Sequence, residues 1–362
     1  MSAQSQIYFR LPDTLGAWPW QRRINPRSAT VSAASATWIE SFRVFSPRAQ
    51  TAFNKCNFGL LASLAYPSAT PEQLRAGCDL MNLFFVLDEL SDAGDESQAR
   101  ALANTIMDGI RNPHKTRPTA EPIVGLIAKQ FWARVIKWAG SEPQRRFVAT
   151  FDDYCESVVT QARDRSSSHV HTVDTYLAVR RENIGAKPSF ALMEMDMNLP
   201  DESLGHPVVV DLTTWAIDMI IIGNDIVSYN VEQARGDDGY NLVAIVMAQH
   251  KLDLNGAMRW IGHYHDHLLD LFLAHCDPAS ELAGPLPSWG PRVDEELKQY
   301  IDGLGNWVRA NDSWSFESER YFGRDGLEVM KTRWLALLPK KQQKAGEIGC
   351  GPDPADSAQP SS

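Results

Sequence analysis

Two carboxylates, Asp88 and Asp92, stand at i and i+4 where an apolar run, Leu83-Phe84-Phe85-Val86-Leu87, gives out. On a helix that spacing puts both on one face. Like charges one turn apart, delivered by a buried helix, repel each other and are best tolerated with a cation between them. Hard oxygen donors of this kind suit Mg2+. A second stripe, Asn224, Ser228 and Glu232, closes the apolar stretch that begins at Val209. Its spacing lines one helix face over two turns. All three offer side-chain oxygen and one carries charge, which suits a single Mg2+ completed by water and phosphate oxygen. Each motif also has a plainer reading. Glu89, Asp95 and Glu96 crowd the first as they would on a helix end meeting water, and Asn and Ser are common at helix caps.

Elements of sufficient size must hold these groups. The chain has 362 residues, 44% hydrophobic and 22% charged, ordinary for a globular protein and unlike a disordered, collagenous or coiled-coil one. Apolar residues recur at helical spacing from about 28 to 338. The periodicity predicts helices near 29–46, 49–66, 71–90, 96–111, 120–139, 143–165, 172–183, 207–232, 240–250, 254–276 and 292–310. A short one near 315–322 and a last one near 324–336 follow. Pro47, Pro67, Pro71, Pro113, Pro118, Pro188, Pro200 and the prolines of 277–291 separate them. No alternating strand pattern, fixed-period repeat or interior linker appears. The expectation is all-α: one large antiparallel bundle over 28–338, a Pro- and Trp-rich strap over 1–27 and a disordered tail over 339–362.

Charge and cysteine usage exclude several classes. Thirty-five Lys and Arg against 45 Asp and Glu give a net charge of −10, which disfavours nucleic acid as a partner. An acidic chain that binds an anion needs a local device, such as metal ions, to invert the field. Cys56, Cys78, Cys155, Cys276 and Cys350 are odd in number and widely spaced, without CxxC. They read as reduced thiols of a cytoplasmic protein. The N-terminus lacks the layout of a signal peptide, and the densest apolar stretch, Trp215 to Gly223, is broken by Asp218, so no integral membrane span is expected. His263 and His267 stand at i and i+4, but without an HExxH pattern or a third ligand they read as a solvated face rather than a zinc site.

Taken together, the motifs resemble those of class I terpene cyclases. DELSD at 88–92 looks like their aspartate-rich motif, and NDIVSYNVE at 224–232 like their second metal motif, (N/D)Dxx(S/T)xxxE. Glu319-Arg320-Tyr321 resembles the Arg-Tyr pair near the C-terminus of microbial cyclases, and YLAVRRENIG at 176–185 the segment with the diphosphate-sensing arginine. The opening LPDTLGAWPWQRRINP is also similar. The resemblance spans residues 7–338 and is greatest to fungal, basidiomycete-type sesquiterpene synthases.

That resemblance implies a helical bundle around a central active-site cavity. Asp88, and less directly Asp92, would ligate Mg2+ from the first motif. Asn224, Ser228 and Glu232 would hold another ion of a three-ion cluster with diphosphate. Counting four residues back from Gly185 selects Arg181 as the sensor, with Arg180 as the alternative. Ile184 and Gly185 would form a bend whose carbonyl faces the substrate cation, and Arg320 and Tyr321 would close on the diphosphate. Glu89 stands where many members have a second Asp, and Asn230 and Val231 stand where some fungal enzymes carry a diphosphate-binding Lys.

The implied substrate is an isoprenoid diphosphate, farnesyl diphosphate, cyclised by 1,11-closure through a humulyl cation to a C15 hydrocarbon or alcohol. Carbocations require a dry pocket with aromatic faces. Phe84, Phe85, Trp307 and Trp314 are the candidate walls, although an aromatic on a buried helix is more often plain core. The rivals are an all-α prenyl diphosphate condensing enzyme, either a prenyltransferase or a squalene-synthase-like enzyme, and a helical scaffold without chemistry. A condensing enzyme calls for a second acidic motif where Asn224–Glu232 stand, and a scaffold leaves four spaced motifs unexplained. Nothing in the sequence chooses between monomer and homodimer.

Overall fold

The computed structural model describes residues 6–92, 94–167, 170–277 and 286–340. The tail expected to be disordered lies outside these residues from 341 onward. Fifteen α-helices account for most of the described chain. The first five are α1 (Ser28–Glu40), α2 (Pro47–Lys55), α3 (Phe58–Ala65), α4 (Pro71–Asp92) and α5 (Glu96–Arg111). Then come α6 (Val124–Val135), α7 (Ser141–Ser167), α8 (Val173–Asn183), α9 (Ala186–Met193) and α10 (Asp201–Leu204). The last are α11 (Pro207–Arg235), α12 (Leu242–His250), α13 (Leu254–Cys276), α14 (Pro291–Glu317) and α15 (Gly326–Thr332).

Local chemistry sets the ends that matter for the site. Thr172 and Thr175 form a capping box that starts α8. Pro207 occupies the first turn of α11, where its missing N–H costs nothing. Gly236, at φ +87°, ends that helix in the left-handed conformation, with its N–H on the Glu232 carbonyl at 2.9 Å. Asn241 caps α12 through the Val243 N–H.

The helix that carries the second motif, α11, is apolar nearly all round and therefore interior. It packs against α8, α12, α13 and α14. By length and composition α11 could cross a membrane, contrary to the sequence reading, but 56% of its most apolar window is buried among the other helices. Across the bundle, α4 carries the first motif and packs on α1, α3 and α6. It is anchored by Asp79, fully buried, which accepts from Ser35 (2.6 Å), Arg75 (2.8 Å) and Arg134 (2.6 Å). That cluster ties α1, α4 and α6 together two turns before Asp88.

Several expectations need correction. The run 49–66 is two helices, broken where Asn57 takes φ +49°. Pro188, read as a breaker, sits in the first turn of α9, where proline is tolerated. The runs 292–310 and 315–322 are one helix, α14, since Asn311, Asp312 and Ser313 do not interrupt it. Two short strands exist, β1 (Tyr8–Arg10) and β2 (Trp334–Ala336), antiparallel with Phe9 opposite Leu335.

The segment 6–27 crosses the bundle surface. Trp18 donates to the Gly305 carbonyl at 2.9 Å and Trp20 to Asp302 at 2.8 Å. Arg309 returns three hydrogen bonds to the carbonyls of Leu15, Trp18 and Trp20. Among the described cysteines, Cys56, Cys78, Cys155 and Cys276 are free thiols, and Cys350 lies outside the described residues.

Candidate active site

The polar residues at the end of α11 are largely withdrawn from water, with Asn224 and Glu232 partly buried. Ser228 is buried, and Asn241, fully buried at the start of α12, donates to Ser228 Oγ (3.3 Å) and Glu232 Oε2 (2.8 Å). One amide thus fixes two of the three expected ligand oxygens. Burial, and then the charge of Asp225, push the Glu232 carboxyl up to about 7. A buried carboxylate of this kind is stabilised by a cation. Among the described residues no three His, Cys, Asp or Glu side chains gather as a metal cluster. The stripe instead combines one carboxylate with an amide and a hydroxyl, all hard oxygen donors that fit Mg2+.

Asn224, the first residue of that stripe, has two neighbours. Its Oδ1 accepts from Arg180 Nη2 at 3.0 Å and its Nδ2 donates to the Tyr321 hydroxyl at 2.9 Å. Arg180 also donates Nη1 to Asn183 Oδ1 at 2.9 Å. Its Nε is buried and has no partner. Burial opposes the Arg180 charge, and the surrounding Tyr176 and Asp225 more than offset this. A buried guanidinium with an unused N–H is a ready anion site.

Arg181, chosen by residue counting, is directed elsewhere. It makes a two-pronged pair with Asp218, Nε and Nη2 both at 2.7 Å. Consecutive helical residues point about 100° apart, so only one of the two can meet α11 at Asn224. The structure brings Arg180 to the second motif, not Arg181.

Gly185 does form a break. It takes φ +77° between α8 and α9, and a Cβ there would come within 3.3 Å of Phe84. Its own carbonyl accepts from Ser189 Oγ at 2.7 Å. The carbonyl of Ile184 faces a different situation. The residue four positions on is Pro188, which has no N–H to return. The bend therefore leaves Ile184 without the usual helical donor.

The first motif is half open to solvent. The Asp88 side chain is 45% exposed and stands 3.8 Å from Arg320 Nη2. Arg320 lies over the Phe85 ring at 4.6 Å and the Tyr321 ring at 5.6 Å. The Arg-Tyr pair thus spans the two motifs, Arg320 toward Asp88 and Tyr321 toward Asn224. Asp92 does not join them: Arg165 of α7 takes its Oδ1 at 2.8 Å and the Ser91 carbonyl at 3.0 Å.

The four candidate aromatics divide. Phe84 reaches the Gly185 bend and packs on Phe151 and Tyr154. Phe85 stacks on Phe58 at 3.7 Å beneath Arg320. Trp314, 1% exposed, donates its N–H to the Cys56 carbonyl at 2.8 Å and packs behind Phe85 and Tyr321. Trp307 meets Tyr66 and Phe190 edge-on. The histidines of the set-aside zinc reading also divide: His263 and His267 are exposed, while His265 is buried.

Sequence reasoning missed Tyr176, Asn183, Asp225, Asn241 and Arg165. Asp225 is part of the quoted motif and Asn183 lies one turn from Arg180, so both were within reach of it. Tyr176 opens the quoted segment 176–185, one turn before Arg180, and was equally within reach, whereas Asn241 and Arg165 come from other elements and carry no local signal.

A protein-family model, terpene synthase family 2, C-terminal metal binding, matches residues 79–270. The chain belongs to the terpene synthase family. A Delta(6)-protoilludene synthase of Stereum hirsutum is 53% identical over 94% of this chain and 90% of its own length. One from Armillaria gallica is 53% identical over 91% and 94%. Sesquiterpene synthase 14 of Postia placenta is 49% identical over 94% of this chain and 95% of its own length. These relatives set the terpene synthase described here among the class I sesquiterpene synthases of fungi. Solved structures agree on the fold. A cucumene synthase variant aligns with TM-score 0.71 at 21% identity, covering 83% of this chain and 99% of its own. Germacradien-4-ol synthase of Streptomyces citricolor aligns with TM-score 0.70 at 21% identity, covering 82% and 96%.

Proposed function

We propose that this terpene synthase ionises farnesyl diphosphate with Mg2+ and cyclises the C15 chain by 1,11-closure through a humulyl cation. The observation that carries the reading is Arg180: a buried guanidinium with an unused Nε, held against Asn224 of the metal motif. Asp88 on one side and Asn224, Ser228 and Glu232 on the other hold the metal ions, with Asp92 kept back by Arg165. Bound Mg2+ supplies Lewis acidity to the departing diphosphate.

The chain's own groups do the rest. Arg180 offers its Nε to a phosphate oxygen, and Arg320 and the Tyr321 hydroxyl reach the same anion from the other wall. Arg181 is reassigned to a structural pair with Asp218. The Ile184 carbonyl presents its dipole to positive charge in the chain. Phe84, at the bend, offers a ring face and excludes water. The reading takes residues 28–338 as the catalytic domain of a cytoplasmic enzyme whose partner is its small-molecule substrate.

The test is purified protein with farnesyl diphosphate and MgCl2, volatile products read by gas chromatography–mass spectrometry, with an EDTA control. A cyclic C15 product that vanishes with EDTA is expected, and the names of the relatives make Delta(6)-protoilludene the first standard to run. Turnover that survives EDTA would sink the metal assignment. A product derived from 1,10-closure would sink the humulyl route alone.

A further inference from the structure

Arg180 and Arg181 are neighbours on α8, yet they end in opposite electrostatic situations. Each has a buried aspartate of α11 within reach. Arg181 commits Nε and Nη2 to Asp218, both at 2.7 Å. Arg180 comes no closer to Asp225 than 3.8 Å, and its Nε is left without a partner. The difference lies in what else holds the carboxylate. Asp225 Oδ2 accepts the Tyr176 hydroxyl at 2.6 Å and the Leu242 N–H at 2.9 Å.

Tyr176 is placed for this task. It lies one turn before Arg180 on the same face of α8 and is fully buried. Burial first, and the Asp225 charge second, hold its phenol protonated, so it stays a donor. Its ring is braced by Tyr240, whose own hydroxyl accepts from Asn183. Meanwhile Arg180 rests on two neutral amide oxygens, those of Asn183 and Asn224. Neutral acceptors orient a guanidinium without cancelling its charge.

We propose that Tyr176 is a positioning residue for Arg180: its hydroxyl pins Asp225, so the carboxylate does not close on the guanidinium, and Nε stays free for the leaving diphosphate. Arg181 with Asp218 shows the arrangement that the pin prevents. The proposal rests on the reading of Arg180 as a diphosphate-binding group.

The test compares the parent with Tyr176→Phe, Asp225→Asn, the double variant and Arg180→Met. For each, KM, kcat, inhibition by inorganic pyrophosphate in the presence of Mg2+, and a thermal melt are measured. Tyr176→Phe should raise both KM and the pyrophosphate inhibition constant by about tenfold or more, the size of one charge-assisted hydrogen bond. In the Asp225→Asn background the same substitution should change them by under about twofold, since no carboxylate remains to be pinned. An equal loss in both backgrounds overturns the proposal, as does a loss confined to kcat with pyrophosphate affinity unchanged. Should Tyr176→Phe fail to fold, Asp225→Asn alone decides. A neutral amide does not cancel the guanidinium charge, so pyrophosphate should bind at least as well as in the parent, and a weakening of about tenfold would refute the pin. Arg180→Met separates the two layers. Unchanged pyrophosphate inhibition there removes the Arg180 reading itself. Weakened inhibition there, with Tyr176→Phe unaffected, removes only the role of Tyr176.

Discussion

At the scale of single residues, the second motif depends on burial as much as on ligand type. Asn241 braces Ser228 and Glu232 from α12, so their oxygens are oriented before any ion arrives. Asn224→Ala or Glu232→Ala should therefore cost more than about 100-fold in kcat/KM, with helix content by circular dichroism unchanged. Near-parent activity in either variant would mean that the metal is held elsewhere. His265 gives a prediction of a different kind. Burial alone lowers its pKa from 6.5 to about 4. The unfolded chain takes up the proton from pH 6.5 downward, whereas the folded chain resists until about 4. Stability present at pH 7 is thus lost on acidification between those values, by about 2 kcal/mol at pH 5. His265→Leu should lose about 2 kcal/mol less than the parent between pH 7 and pH 5, read from denaturant midpoints at the two pH values. A pH response identical to the parent's would show that His265 is not kept neutral.

At the scale of elements, the break between α8 and α9 is the joint on which the site turns. Two residues make it: Gly185 supplies a left-handed backbone conformation, and Pro188 withholds the N–H that would return to Ile184. Pro188→Ala restores a donor and should straighten the joint. The expected result is a drop of about tenfold or more in kcat with a modestly lower melting temperature, since buried ring contacts are lost and the unfolded chain gains freedom. A product mixture and rate equal to the parent's would show that the Ile184 carbonyl has no part in the chemistry.

The same joint shows why some of the site was legible in the sequence. The i, i+4, i+8 stripe of Asn224, Ser228 and Glu232 needs only helical geometry, and helical geometry holds there. Choosing between Arg180 and Arg181 needs the rotation of α8 about its axis, which Tyr176 of α8 fixes through its hydrogen bond to Asp225 of α11. Residue spacing carries no such information. Pro188 was misread because a proline in the first turn and a proline that breaks a helix look alike in a sequence. The strands β1 and β2 are three residues each, too short for a period of two to show.

At the scale of the whole molecule, the segment 6–27 acts as a girdle. Trp20 lies so close to Gly305 that a Cβ there would fall 2.3 Å from its ring. Gly305→Ala should push Trp20 off α14 and cost about 1–3 kcal/mol. Gly239→Ala, where nothing lies within 4 Å, is the matched control and should leave the melting temperature within about a degree. Equal melting temperatures for the two variants would show that the girdle is not bound tightly enough to matter.

The girdle's partners also have an order in time. Phe9 lies opposite Leu335, Arg22 binds Glu317, and Trp18 and Trp20 bind Gly305 and Asp302. On a ribosome the first two dozen residues leave the exit tunnel long before any of these sites exists. Their tryptophans must stay exposed while the whole bundle is being made, and they find their seats only as synthesis ends. Made before every site it binds, the segment is thus among the last of the described residues to be seated, and it is an aggregation hazard until then.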